Sequence, residues 1–144
     1  MNVILSIKPK YCEKIIRGEK KVEFRRRGFR INDIDLVYMY STNPIKKIVG
    51  SFEIESIIKD SPIKLWEKFR MHSGMDESEF FQYFGLRKTG FAIKIKAVNP
   101  YEPPIDPRQI VPNFTPPRSF RYLKGTPFDK MTIRLLHRIN RTNS

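Results

Sequence analysis

A single cysteine, Cys12, and two histidines, His72 and His137, leave little from which to build a disulfide framework or a zinc site. A lone cysteine has no partner within the chain, and Cys12 reads as a small core residue rather than a nucleophile. The sequence implies neither a metal nor another cofactor. Long apolar runs are missing as well. Val3-Ile4-Leu5 is too short for a secretory leader, and no later segment approaches a membrane span. These absences point to a soluble, cytoplasmic protein with no membrane partner; a monomer is favoured, with the oligomeric state left open. Acidic residues are scarce, 15 Asp and Glu against 28 Lys and Arg.

What is present is enough for a core. A chain of 144 residues is one domain in size and can bury about two-thirds of its unfolded surface. Eleven Phe, six Tyr and one Trp exclude a wholly disordered chain. The net charge of +13 is confined to the two ends: residues 1–30 carry +7, residues 118–144 carry +6, and residues 31–117 are neutral. Folded beside one another, the ends would form one positive surface suited to a polyanion, most often nucleic acid.

Val3-Ile4-Leu5-Ser6-Ile7 reads as a buried strand, and Pro9 suits the first turn of a helix over about Pro9–Arg17. Cys12, Ile15 and Ile16 share the inward face of that helix, and Gly18 stands where a left-handed cap is wanted. The strand that follows alternates Val22, Phe24 and Arg26 with Lys21, Glu23, Arg25 and Arg27, so one face is strongly polar. Asp35–Thr42 and Lys47–Ile58 read as paired strands, with Gly50 a bulge where the longer one bends around a small barrel. Two short helices follow. One has Ser61-Pro62 at its start, and the other has an Asp76–Glu79 capping box and carries Phe80, Phe81 and Phe84. Gly90–Val98 is a strand with Phe91, Ile93 and Ile95 inward.

Seven of the eleven prolines fall between Asn99 and Pro117. That density predicts an extended strap, held against the core by Ile105, Ile110, Val111 and Phe114, rather than regular sheet or helix. Arg118–Tyr122 is a last short strand. Thr126-Pro127 opens a terminal amphipathic helix with Lys130, Arg134, Arg138 and Arg141 along one side. The chain thus reads as one unit, a barrel over 1–125 with the basic helix and tail of 126–144 belonging to it.

With these elements in place, the charged stretch reads Gly18-x-Lys20-x-x-Glu23-x-Arg25. It resembles the G-x-K-x-x-E-x-R signature of the ASCH domain family. Leu5-Ser6-Ile7-Lys8-Pro9-x-Tyr11 is similar to the family's first strand and helix start, and Pro116-Pro117-Arg118-Ser119-Phe120 to the closing segment of some members. The resemblance implies an α+β fold: a PUA-like small mixed β-barrel, here with helices packed at its ends and a basic C-terminal helix. It also implies a cleft between barrel and helix that binds RNA, in preference to DNA, or a modified base. In such a cleft Lys20 and Arg25 would hold phosphate or a base oxygen, and Glu23 would accept from an exocyclic amine. Lys8, Arg27, Arg118 and Arg121 are the candidate flanks, with Arg134 and Arg138 tracking the backbone.

Two other readings stay open. Some members of the broader family resemble amidohydrolases acting on N4-acetylated cytidine, and others are reported as nucleases. The short amidohydrolases use a Thr where this chain has Glu23, which leaves a Thr-based acyl mechanism without its nucleophile. Lys20 and Glu23 acting on water would be the catalytic pair of a hydrolase, with Glu77 or Glu79 a distant second acid. The last reading is a transcription-associated protein-interaction module.

Overall fold

The computed structural model describes residues 1–29, 34–123 and Arg138. Among the described residues six strands form one mixed sheet: β1 (Val3–Ile7), β2 (Val22–Arg25), β3 (Val37–Ser41), β4 (Lys47–Asp60), β5 (Gly90–Ile105) and β6 (Phe120–Tyr122). Their order is β2-β5-β4-β3-β1-β6, with β1 and β3 parallel and the other pairs antiparallel. The sheet curls into a half-barrel accompanied by α1 (Pro9–Ile16), α2 (Pro62–Phe69) and α3 (Glu77–Phe84). This is the α+β, PUA-like architecture expected. Among the described residues, no helix is long and apolar enough to cross a membrane.

The helix boundaries follow local chemistry. Pro9 occupies the first turn of α1, and Gly18, at φ 79°, turns the chain so that its N–H reaches the Ile15 carbonyl. Ser61 Oγ accepts from the Lys64 N–H at the head of α2. At the head of α3, Asp76 accepts from the Glu79 N–H at 2.7 Å while Glu79 Oε1 accepts from the Asp76 N–H at 3.3 Å.

Between the sheet and α2 and α3 lies an aromatic core of Phe24, Phe69, Phe80 and Phe84, flanked by Trp66 and Phe81. Phe24 and Phe80 meet edge to face with centroids 4.8 Å apart. Gly90 lets Phe84 close on the start of β5, since a Cβ there would come within 2.2 Å of the ring. A second cluster gathers Leu5, Ile7, Cys12, Ile15 and Phe52. Cys12 is 2 % exposed, and burial pushes its thiol up to about 12, so it is a packed apolar group. Ile16, expected beside it, is instead 37 % exposed: an eight-residue helix presents only a narrow stripe inward.

The proline-rich stretch needs a larger correction. Asn99–Ile105 is not loop but the second half of β5, with Asn99 opposite Ser51, Pro100 opposite Gly50 and Ile105 opposite Ile48. β2 pairs with β5 from Phe91 to Lys94, and beyond that point no strand among the described residues pairs with that side of β5. Proline is tolerated there because no ladder partner needs its missing N–H. The register shift between Ile48 and Gly50 leaves Tyr101–Pro104 without Cα partners, which accommodates Pro103 and Pro104. The strap proper begins after Ile105. It seats Phe114 against Tyr40, with Ile110 and Val111 on the same cluster. The basic helix expected at the end of the chain, with Lys130, Arg134 and Arg141, lies outside the described residues apart from Arg138.

Candidate nucleic-acid interface

β2 and β6 are the two outer strands of the sheet, yet curling brings their ends together. Arg25, the last residue of β2, donates from Nη1 to the Ser6 carbonyl at 3.3 Å and from Nη2 to Ser119 Oγ at 2.5 Å. The segment before β6 is in turn fastened to β1. The Ser6 N–H donates to the Ser119 carbonyl at 2.9 Å, and Ser6 Oγ donates to the Pro117 carbonyl at 2.6 Å. The contact across this seam is therefore made by the Arg25 side chain rather than by a ladder, while the Ser6 bonds hold β1 to the segment before β6 on the far side.

A cleft of ≈ 960 Å³ opens along the seam, between the ends of β1 and β2, the first turn of α1, α3 and the Arg118-Ser119 segment. Seven cationic residues line it, Lys8, Lys10, Arg25, Arg26, Arg27, Arg87 and Arg118, against two carboxylates, Glu23 and Glu79. All of the cations except Arg25 are exposed.

Glu23 is 5 % exposed at the base of this cleft. Its Oε1 lies 3.8 Å from Lys20 Nζ and its Oε2 lies 4.0 Å from Arg25 Nη1. Both separations are ion-pair distances too long for hydrogen bonds, so charge is compensated while the oxygens keep accepting capacity. Arg25 likewise keeps a buried Nε with no hydrogen-bond partner. The accepting capacity left on Glu23 is what the N–H edge of a polar ligand requires, whereas Arg25 Nε is closed to solvent.

Lys20 sits elsewhere. It is 1 % exposed, does not line the cleft, and donates from Nζ to the Ser73 carbonyl at 2.5 Å. The Tyr11 and Phe24 rings lie 5.0 and 5.3 Å from its ammonium. Burial lowers its pKa, and the neighbouring Glu23 charge acts against that shift. Lys20 thus supports Glu23 from behind and has no open path to a phosphate. Glu79, by contrast, stands in the cleft wall: its Oε2 accepts from Lys10 Nζ and from Tyr11 Oη, each at 2.6 Å. Those two hydrogen bonds hold its carboxyl well below the ordinary range, at about 2, so it is ionised throughout the neutral range.

The remaining predicted residues divide. Lys8, Arg27 and Arg118 line the cleft, whereas Arg121 pairs opposite Ile4 on β6 and does not. Arg138 is exposed and donates to Gln109 Oε1 at 3.2 Å, away from the cleft residues. Arg134 falls outside the described residues. Sequence spacing missed Lys10, Arg26, Tyr83 and Arg87. Arg26, expected on the inner face with Val22 and Phe24, is exposed because β2 ends at Arg25 and the alternation ends with it. Among the described residues no three His, Cys, Asp or Glu side chains are grouped as metal ligands would be.

A family model described as a domain of unknown function (DUF365) matches residues 1–114. The chain is 27% identical over 130 residues to a Zymomonas mobilis protein named "ASCH domain-containing ribonuclease", covering 89% of this chain and 88% of that one. The crystal structure of ASCH from Zymomonas mobilis superposes with a TM-score of 0.81 at 26% identity, over 92% of this chain and 94% of that one. The N-terminal domain of Staphylothermus marinus McrB shares the fold, with a TM-score of 0.58 at 14% identity over 92% of each chain.

Proposed function

This chain belongs to the DUF365 family and to the ASCH domain family, and from that premise we propose that it binds RNA, taking one nucleotide into the seam cleft. The observation that carries the reading is Glu23, a nearly buried carboxylate with open acceptor capacity at the base of a cleft whose walls are cationic. The wall residues supply affinity for phosphate without regard to sequence, and Glu23 with Arg25 reads the base edge, an exocyclic amine at Glu23 and an oxygen at Arg25. The ribonuclease name of the Zymomonas relative supports RNA over DNA. Fluorescence anisotropy with short single-stranded RNA tests the proposal. If about six phosphates are contacted, log K falls against log salt with a slope of roughly −4. Glu23→Gln shifts base preference and leaves that slope unchanged. No RNA binding at low salt, or affinity indifferent to salt, refutes the reading.

One observation favours hydrolysis in the same cleft as a second reading. Glu79, distant in sequence, shares the cavity with Glu23, and Tyr11 and Lys10 are bonded to it. Glu23 is the group placed to take a proton from water or a ribose hydroxyl. Labelled RNA cut by the parent chain and left intact by Glu23→Gln supports this reading; RNA left intact by the parent discards it.

A further inference from the structure

Arg26 makes three contacts with one residue. Its backbone N–H donates to Tyr83 Oη at 3.1 Å, its Nε donates to the Tyr83 carbonyl oxygen at 2.9 Å, and its guanidinium carbon lies 4.5 Å from the centroid of the Tyr83 ring. Both residues border the cleft, and Arg26 is exposed one position past the end of β2. Three anchors on an exposed arginine hold it in place before any ligand arrives. Among the described residues Nε is the one guanidinium nitrogen with a hydrogen bond, and the residue is exposed at the cleft. A guanidinium backed by an aromatic ring is a stacking surface for a nucleobase, being planar, charged and weakly hydrated.

We propose that the Arg26–Tyr83 stack is a second base subsite. It takes an unpaired nucleobase next in sequence to the nucleotide held at Glu23 and Arg25. The proposal rests on the RNA reading above and sharpens it: the ligand is single-stranded and at least two nucleotides long. A base inside a duplex has both faces covered by its neighbours and cannot pack on Arg26. Arg87, exposed on the same rim, is placed for the phosphate that joins the two nucleotides. Phosphate capture by Arg26 alone would need only its charge, so the plane of the side chain is the discriminating property.

The test uses single-stranded oligoribonucleotides carrying 2-aminopurine at one position at a time, with binding followed by anisotropy of an end label. The parent chain should quench 2-aminopurine strongly at one position. Arg26→Ala and Arg26→Lys should both lose that quench and bind roughly tenfold more weakly. Thermal melts confirm that the variants are folded, and the exposure of Arg26 makes Arg26→Lys a mild change. Salt-dependent binding with no quench at any position overturns the subsite and leaves the RNA reading standing, as does Arg26→Lys behaving like the parent. Duplex RNA binding as tightly as single strands also overturns it. Failure of every oligoribonucleotide to bind at low salt removes both.

Discussion

Arg25→Ala should cost about 2–4 kcal/mol of stability and more than tenfold in RNA affinity, and Arg25→Lys should restore little of either. The guanidinium satisfies Ser6 and Ser119 on the far side of the seam while lying 4.0 Å from Glu23. Truncation leaves those acceptors unmatched and removes one of the two charges beside a nearly buried carboxylate. Lysine provides the charge without the fork, so it can reach one acceptor at a time. Urea unfolding of the three proteins, with RNA titrations under folding conditions, measures both effects. An Arg25→Ala chain as stable as the parent would mean that the half-barrel holds its shape without the stitch.

Lys20→Ala should be the most destabilising single change in the signature, about 3–5 kcal/mol, because it removes the cation from a buried pair and opens a void beneath Tyr11. Lys20→Met should cost less, since it keeps the apolar stem in the same packing. Gly74 closes over that stem: a Cβ there would lie 2.8 Å from the Lys20 Cβ, so the space is shaped for an unbranched chain. In the fraction that remains folded, RNA affinity should change far less than stability does. Chemical unfolding compared with low-temperature RNA titration separates the two. Unchanged stability with lost affinity would return Lys20 to the ligand and contradict its place behind the cleft.

The divergence between Lys20 and Arg25 shows what spacing encodes. Alternation along β2 correctly sets Glu23 and Arg25 on one face and Phe24 on the other, because four residues of real ladder impose it. Lys20 precedes that ladder. The Glu19 and Lys20 N–H groups both close the helix turn onto the Lys14 carbonyl, so the side-chain direction of Lys20 follows the turn and not the strand. Arg26 escapes the pattern at the other end for the same reason. Glu79 could be read as half of a capping box, which it is, but its second carboxylate oxygen meets Tyr11 across the fold, and no local pattern records a contact 68 residues apart. The prolines of β5 misled in the opposite sense: their density argues against a ladder, and only the sheet order shows that this half of β5 lies at an edge.

The seam also sets an order of events. Arg25 reaches Ser119 across 94 residues and Ser6 reaches Pro117 across 111, among the longest separations that the fold bridges. Closing such loops costs entropy that local contacts must first offset, so the β4–β5 ribbon and the helices between its strands form early and the seam last. Interactions absent from the folding transition state act on the unfolding rate. The stability lost in Arg25→Ala should therefore appear as faster unfolding with an unchanged folding rate, and the cleft is the part of the molecule assembled at the end.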